Sequence, residues 1–239
     1  MSVLLLRLAG PLQAWGDSSR FTRRNTRKEP TKSGVIGLLA SAQGRSREDD
    51  IEDLVKLEYG VRTEQPGRII RDFQTERRED TNTIMPLSNR YYLSDAVFLV
   101  ALSASEEVLT SLEAALRMPK WPLYLGRRAC PATLPITLGL RQEYETVRQA
   151  LSSEPWQADP WYRKRYQPLH LAVACDGQEG EAFESQTDIP LTFSIEHRRY
   201  ASRPVFHFEV ANPSVSLGDA EQSEPSAFSD ADGFDPMSF

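Results

Sequence analysis

The sequence predicts an α+β fold, because short apolar runs typical of strands alternate with segments of helical spacing along the first 140 residues. Strand-like runs occupy residues 2–9, 59–64, 68–73, 96–102 and 136–140. Helical spacing occupies residues 31–43 and 105–117. The run at residues 68–73 flanks the hairpin described below. Without it, the order is strand, helix, strand, strand, helix, strand, which is that of the ferredoxin-like βαββαβ arrangement shared by the RNA recognition motif. A fold of this kind does not by itself give a function.

Both predicted helices carry signals at their ends. Thr31 can cap the first helix and Gly44 can end it. Ser105 can cap the second helix, two glutamates follow in its first turn, and Pro119 stops it. A short acidic helix is expected at about residues 47–56, between the first helix and the next strand.

A polar segment at residues 74–89 separates two strand-like runs and contains Arg77 and Arg78. It has few apolar residues, so it cannot bury much surface on its own. We therefore expect a projecting thumb hairpin at about residues 72–93.

The second half of the chain predicts a helix, a connector and a small β region. A helix is expected at residues 144–152, and strand-like runs occupy residues 169–175, 189–195 and 205–210. The predicted divisions are a ferredoxin-like domain at 1–154, a connector with a small C-terminal β region at 155–217, and an acidic tail at 218–239. The tail is expected to be mobile or loosely docked.

The net charge of −6 conceals a neutral body on which charge is unevenly placed. The tail holds six acidic residues and no Lys or Arg, so the rest of the chain has 28 of the 34 acidic residues against 28 basic ones. Six bases and one acid lie between residues 20 and 32, whereas five acids and no base lie between residues 48 and 53. This distribution predicts a basic surface that faces a polyanion or an acidic partner.

Cysteine use and hydropathy argue against a secreted or membrane protein. Cys130 and Cys175 are far apart and have no metal or redox spacing, as expected in a reducing cytosol. The apolar run at residues 3–8 has no positive region before it, so it is typical of a strand rather than a signal peptide. The longest apolar run, residues 96–102, is too short to span a bilayer. We therefore expect a cytoplasmic protein with no membrane partner.

The most informative motif is the segment at residues 122–131, Pro-Leu-Tyr-Leu-Gly-Arg-Arg-Ala-Cys-Pro. Gly126 can take backbone angles forbidden to other residues and can let a polyanion approach the main chain. Arg127 and Arg128 offer planar forks of donors that match phosphate oxygens, and Tyr124 adds an aromatic ring. This composition favours a phosphate-binding segment. The alternative is a strand end with two solvated arginines.

Two further segments repeat this combination of arginine and aromatic residues. Trp15 and Phe21 flank a basic loop, and aromatic residues interleaved with arginines are typical of single-stranded nucleic-acid sites. The bases from this loop into the first helix are Arg20, Arg23, Arg24, Arg27, Lys28 and Lys32. The second repeat consists of Arg198, Arg199, Tyr200 and Arg203. We expect the three segments to converge on one RNA-facing surface, although a merely solvated face is the alternative for the basic loop.

Lys32 and Ser33 precede a helix, as in a phosphate-binding loop. That motif requires glycines where this chain has Thr31 and Thr26, so the motif itself is absent. The N-terminus of the helix, which includes Gly34, remains a candidate anion site because its first amides are free of helical partners.

Catalysis has little support in the sequence. There is no Gly-x-Ser-x-Gly elbow, and no group of His and Cys residues has metal-ligand spacing. His170 and His207 lie in strand-like runs, which leaves His197 beside Glu196 as the one candidate general base for RNA cleavage. We therefore expect no enzyme activity, cofactor or metal.

Four segments of the chain carry a family resemblance. They are residues 6–16 (LRLAGPLQAWG), 30–39 (PTKSGVIGLL), 124–131 (YLGRRACP) and 199–203 (RYASR). In this order they resemble the CasD family, the subunit of the type I-E CRISPR Cascade surveillance complex that holds the 5′ handle of the crRNA. Residues 141–168 match this family weakly, and the acidic tail lies beyond the resemblance.

The resemblance implies a non-catalytic assembly protein with a ferredoxin-like body, a thumb and a small C-terminal region. The implied partners are the crRNA 5′ handle, the Cascade backbone subunit, the large subunit that recognises the PAM, and target DNA through the complex. Arg77, Arg78 and Arg90 of the thumb region are expected to join the RNA contacts. The alternatives are a metal-independent endoribonuclease that processes precursor crRNA and a free-standing single-stranded RNA-binding protein.

Overall fold

A computed structural model describes residues 2–16, 23–75, 77–178, 180–181, 183–194 and 196–215. In these ranges the strands are β1 Ser2–Ala9, β2 Leu12–Gln13, β3 Arg23–Arg24, β4 Glu58–Gln65, β5 Arg68–Gln74, β6 Ser88–Ser94, β7 Val97–Ala104, β8 Thr137–Arg141, β9 His170–Asp176, β10 Glu184–Thr192 and β11 Arg199–Ala211. The helices are α1 Lys32–Gln43, α2 Glu52–Val55, α3 Glu106–Arg117, α4 Val147–Ser153 and α5 Pro160–Arg165. The predicted α+β class is confirmed. None of the helices in these ranges has the length and apolar character needed to cross a membrane.

The main sheet has seven strands in the order β10-β11-β9-β4-β7-β1-β8. Every adjacent pair in it is antiparallel. The apolar strand β1 lies inside the sheet, where Val3 is paired with Ser103 of β7 on one side and with Arg141 of β8 on the other. The continuous apolar run of β1 follows from this position, since the strand is buried on both faces.

The C-terminal strands β9, β10 and β11, where the sequence predicts a small C-terminal β region, extend this sheet. β9 pairs with β4 from Gly60 opposite Cys175 to Arg62 opposite Val173. The edge of β4 would otherwise expose unpaired backbone groups, which explains the added strands. Two expectations differ from the structure. The connector contains the helix α5, and the acidic helix is confined to the four residues of α2.

Helices cover both faces of the main sheet. Successive side chains of a strand point to opposite faces. Leu4 and Leu6 of β1 accordingly join the core that packs against α1 and α3. Val3 and Leu5 join the core that packs against α4 and residues 156–162.

The sequence signals at the helix ends correspond to the observed ends. The Thr31 side chain accepts a hydrogen bond from the Gly34 amide, and Gly44 ends α1 with a left-handed φ of 77°. Ser105 occupies the N-cap position of α3, but in the described part of the chain its side chain forms no capping hydrogen bond.

A second, four-stranded sheet carries the hairpin. β5 and β6 are antiparallel, from Arg68 opposite Ser94 to Gln74 opposite Ser88. β2 and β3 pair with the other edge of β6. β3 runs parallel to β6, with Arg24 opposite Arg90. This sheet therefore holds the end of the basic loop beside the hairpin.

Candidate nucleic-acid interface

An open groove of about 1130 Å³ lies along α1, and seven of its 25 lining residues are arginines. Its other walls come from the segment after α3, from β3 and β6, and from the residues around the start of β11. The arginines that line it are Arg24, Arg45, Arg47, Arg90, Arg127, Arg128 and Arg198. None of its described lining residues is an aspartate or a glutamate. We call this site the arginine groove. Its charge favours the binding of an anion.

The Gly-Arg-Arg segment forms a tight loop at one wall of the groove. Tyr124 and Pro131 form a bridge, and the Leu125 amide donates to the Cys130 carbonyl at 2.7 Å. Leu125 and Cys130 are fully buried. The apolar residues thus anchor the loop, while Arg128 stays exposed at the groove.

Gly126 allows a close approach between two segments of the protein's own backbone. Its φ is 90°, in the left-handed region that glycine adopts without strain. A Cβ atom at this position would lie 1.8 Å from the carbonyl oxygen of Ala14. The Ala14 amide donates to the Leu125 carbonyl at 3.0 Å. Ala14 thus fills the space that a side chain would need, while Gly126 itself is exposed and lines the groove. The expectation that a polyanion approaches its main chain stays a prediction.

Arg127 fastens the loop to its neighbours. Its guanidinium donates to the carbonyls of Tyr91 at 3.1 Å, Arg24 at 2.8 Å and Asn25 at 3.2 Å. It also lies over the ring of Tyr92, 4.8 Å from the ring centroid. Several of its donors are therefore committed to the protein before any ligand binds, so Arg127 is chiefly a positioning residue.

Four arginines of the groove are exposed and have no partner among the described residues. They are Arg24, Arg47, Arg128 and Arg198. Arg45 differs from them, because its guanidinium forms two hydrogen bonds of 2.5 Å with Asp53. That contact, against a smaller effect of burial, raises the pKa of Arg45 above its ordinary value. The four partner-free arginines are the side chains best placed to bind phosphates.

The N-terminus of α1 is already occupied by an anion of the protein. The Lys32 amide donates to a carboxylate oxygen of Asp188 at 2.8 Å, and the Gly34 amide donates to the Thr31 hydroxyl at 3.2 Å. The candidate anion site at this helix end is thus filled by Asp188. Ser33 and Gly34 still line the groove.

The side chains of Lys32 and Arg203 belong to the same buried ionic cluster. Lys32 Nζ lies 2.9 Å from Asp176, and Arg203 binds Asp176 at 2.8 Å and Asp188 at 2.7 and 3.0 Å. Arg203 also lies 5.2 Å from the ring centroid of Tyr59. The prediction that Lys32 and Arg203 face RNA is corrected, because two aspartates neutralise and cover them.

Trp15 is a core residue and offers no free ring face for stacking. Its side chain is 1 % exposed, and its indole N–H donates to Gln13 at 3.0 Å. A Cβ atom on Gly34 would lie 2.8 Å from the indole, so the glycine lets α1 pack against this ring. The prediction that Trp15 stacks on a base is corrected accordingly.

The remaining predicted residues lie outside the groove lining. Arg23 lies over Tyr91 at 5.3 Å, and Arg27 is 3.8 Å from Glu184. The exposed residues Lys28, Arg77, Arg78 and Arg199 do not line the groove. Arg20 and Phe21 lie outside the described residues, as does the acidic tail. The structure thus brings together one or more arginines from each of the three predicted segments, together with Arg90.

Sequence reasoning missed Arg45, Arg47 and Trp121. Arg45 and Arg47 follow the C-cap of α1, at the far end of the helix from Ser33. The Gly-Arg-Ser-Arg sequence at residues 44–47 could have indicated both arginines, but the predicted acidic helix begins at about residue 47. Trp121 is 58 % exposed. It could have been found as an aromatic residue directly before the segment at residues 122–131.

The candidate catalytic residue His197 is solvent-exposed. Its ring lies 3.9 Å from Glu196, and both side chains are more than three-quarters exposed. The described residues contain no group of three or more His, Cys, Asp or Glu side chains that could hold a metal ion. His170 and His207 lie on β9 and β11.

The chain is similar to CRISPR-associated proteins over most of its length. The family model described as "CRISPR-associated protein (Cas_Cas5)" matches residues 3–206. The CRISPR system Cascade subunit CasD of Escherichia coli (strain K12) is 36% identical over 191 residues, which make up 71% of this chain and 85% of that relative.

Solved structures show the same similarity. One described as "CRISPR RNA-guided surveillance complex" has a TM-score of 0.72 and 31% identity, covering 87% of this chain and 90% of its own. Another, described as "Crystal structure of Cas protein", has a TM-score of 0.68 and 37% identity, covering 88% and 95%. The family match over residues 3–206 and the 36% identical relative show that the chain belongs to the CRISPR-associated Cas5 family.

Proposed function

We propose that the protein is a non-catalytic, cytoplasmic subunit of a type I-E Cascade complex and binds the crRNA 5′ handle in the arginine groove. The E. coli relative is a Cascade subunit, and one similar structure is an RNA-guided surveillance complex. The observation that carries the assignment of RNA to this groove is its lining of seven arginines without a described carboxylate.

The groove has both chemical elements that a single-stranded RNA requires. Arg24, Arg47 and Arg128 present free guanidinium groups, which match phosphate oxygens in pairs. Trp121 and Tyr124 line the same groove, and an aromatic ring that stacks on a base contributes about 1–3 kcal/mol. A strand of RNA can therefore meet phosphate contacts and stacking surfaces together.

The hairpin of β5 and β6 is the proposed contact with neighbouring Cascade subunits. Ile70 on β5 is 40% exposed, Phe73 is 63% exposed, and Ile84 in the connecting segment is 65% exposed. Clustered apolar side chains on a protein surface mark interaction sites. We expect them to meet the backbone subunit, while the large subunit and target DNA are reached through the assembled complex.

We also infer that the first part of the main sheet is a ferredoxin-like unit with the function of an RNA-binding scaffold. Counted along the chain, β1, β4, β7 and β8 are its first to fourth strands. Their order in the sheet is fourth, first, third, second, with α1 and α3 on one face. That order supports the assignment, because it is what two βαβ units produce when they interlock.

Replacing Arg128 tests the RNA assignment. Arg128→Ala should weaken binding of a labelled crRNA 5′ handle to the full-length protein. It should also lower the slope of log K against log salt by about 0.7, the value for one lost phosphate contact on a single strand. The matched control is Arg117→Ala on α3, because Arg117 is 65% exposed and lies outside the groove. Equal slopes in the two variants would contradict the proposal.

A cleavage assay on the purified protein distinguishes the non-catalytic assignment from the endoribonuclease alternative. Purified protein should leave a precursor repeat RNA intact, with and without a divalent metal. Cleavage that His197→Ala abolishes would instead make the protein a processing enzyme.

A further inference from the structure

A second basic surface lies on the opposite side of the main sheet from the arginine groove. It is built on α5, which packs with the core of that other face, whereas the groove lies along α1. Arg163, Lys164 and Arg165 occupy three consecutive exposed positions there, and Trp161 is 52% exposed beside them. No described carboxylate forms an ion pair with any of the three bases. We call these four residues the α5 surface.

The α5 surface rests on a fixed aromatic base. The ring of Tyr162 is 6.2 Å from that of the buried Trp156, 5.6 Å from that of Trp161 and 4.6 Å from that of Tyr166. The Trp156 indole N–H donates to the carbonyl of Glu64 at 2.9 Å, which ties this cluster to β4. The charges of α5 are therefore presented from a rigid support and not from a solvated loop.

The C-terminal segment of the chain leaves the described part of the fold at this surface. After β11, the Asn212 amide donates to the Leu169 carbonyl at 2.8 Å, and the Ser214 hydroxyl accepts from the Trp156 amide at 3.1 Å. Val215, the last described residue, lines a small cavity of about 190 Å³ together with Arg163. The described part of the chain therefore ends next to the α5 surface.

The charges of these two parts of the chain are complementary. Residues 218–239 contain six acidic side chains and no Lys or Arg. Asp219 is four residues beyond Val215, a reach of about 14 Å, whereas the six residues of α5 are about 9 Å long. A short tether gives an effective concentration on the order of millimolar, so even weak ion pairing holds such a segment in place.

We propose that the acidic segment at residues 218–235 is an intramolecular polyanion that occupies the α5 surface and withholds it from nucleic acid. The body of the protein has two basic surfaces but needs one RNA site. An uncovered cluster of three bases with an exposed tryptophan binds single-stranded nucleic acid without regard to sequence. Covering it with the chain's own carboxylates leaves the arginine groove as the open polyanion site.

Carbodiimide cross-linking of the dilute full-length protein tests the contact directly. The Lys164 amine and a nearby carboxylate form an amide with loss of water, which the carbodiimide takes up as a urea. We expect links from Lys164 to Asp219, Glu221 or Glu224, identified by mass spectrometry. They should disappear in 1 M salt, where the Debye length is about 3 Å.

Two lysines provide the controls for this experiment. Lys56 Nζ lies 2.8 Å from Glu52, so a link between them shows that the reagent works. Lys120 is exposed after α3, on the side of the sheet that α1 covers, and it should not link to the tail. Tail links on Lys120 as frequent as those on Lys164, or no tail link on Lys164, would overturn the proposal.

Removing the charge of the tail tests the consequence for nucleic acid. A full-length variant with all six tail acids replaced by their amides should bind a thymidine oligonucleotide about tenfold more tightly at low salt. Adding Arg163→Gln, Lys164→Gln and Arg165→Gln should abolish this gain, whereas adding Arg128→Ala should not. If the unmodified protein already binds the oligonucleotide through α5, the surface is an open nucleic-acid site and the tail is not its occupant.

Discussion

Gly126 and Arg127 are adjacent in the chain and hold the same loop in two different ways. Gly126 leaves room for the Ala14 carbonyl, at a point where any side chain would collide with it. Arg127 then binds the backbone of Arg24 and Asn25 from the other side. Arg128 is left free beside them to bind a phosphate. The Gly-Arg-Arg sequence thus combines two structural residues with one candidate for RNA contact.

Gly126→Ala should lower thermal stability more than Gly180→Ala does. Both glycines have a φ of about 90°, so alanine introduces backbone strain of about 1–2 kcal/mol at either position. A Cβ at Gly180 meets no atom within 4 Å, whereas at Gly126 it lies 1.8 Å from Ala14. We expect a melting temperature about 3 °C lower for Gly180→Ala and at least twice that loss for Gly126→Ala, as measured by differential scanning calorimetry. Equal losses would show that the Ala14 contact is easily relieved.

Sequence composition identified the arginine-rich segments, but it could not show which of their basic side chains are exposed and which are buried. Arg128 and Arg198 are where their segments predict, at an open surface. Lys32 and Arg203 look identical to them in composition, yet both are buried with Asp176 and Asp188. Those aspartates lie 144 and 156 residues beyond Lys32 in the chain. No local pattern reveals so distant a pairing.

The N-terminus of α1 is fixed by strands from the far end of the chain. Asp188 of β10 accepts hydrogen bonds from the Lys32 amide and from Arg203 of β11. Asp176 at the end of β9 accepts from Lys32, Arg203 and the Tyr59 amide. Since Ser33 and Gly34 line the arginine groove, this cluster determines where one of its walls lies.

Asp188→Ala should reduce the free energy of unfolding by about 3–5 kcal/mol, because it leaves the buried Arg203 charge without its closest partner. The matched control is Asp53→Ala, which removes the half-exposed partner of Arg45 and should cost about 0–1 kcal/mol. Urea unfolding followed by circular dichroism measures both. A loss below 1 kcal/mol for Asp188→Ala would mean that water or another acid replaces it.

The elements that sequence predicted best are those with local end signals. Thr31 and Gly44 mark α1 to within one residue, and α3 begins directly after Ser105. Local signals do not predict which strands pair, because pairing joins residues that are distant in the chain. The joining of β9 to β4 has no signature in either segment, so the sequence could not show that the predicted C-terminal strands extend the main sheet.

Shortening the hairpin should separate folding of the subunit from its assembly. Gln74 and Ser88 are cross-strand partners, so an Asn-Gly turn can replace residues 75–87 without disturbing the register. The removed residues include Ile84, Met85 and Leu87, which are exposed and do not belong to the hydrophobic core. We expect a melting temperature within a few degrees of the unmodified protein, but loss of co-purification with the other Cascade subunits.

The outcome that would contradict this expectation is unfolding of the isolated variant, which would make the segment part of the core. A variant that folds and still assembles would instead move the proposed subunit contact to another surface. Phe73→Ser is a milder companion change, because Phe73 is 63% exposed on β5 and stays in the shortened hairpin.

The central position of β1 affects how the chain folds during its synthesis. This strand ends at Ala9, yet its two neighbours end at Ala104 and Arg141. At about 5–20 residues per second, a ribosome therefore holds an apolar strand without partners for on the order of ten seconds. Unpaired strands of this kind are prone to aggregate and are bound by chaperones. The yield of folded protein in the cell is thus expected to depend on chaperone supply as well as on the stability of the finished sheet.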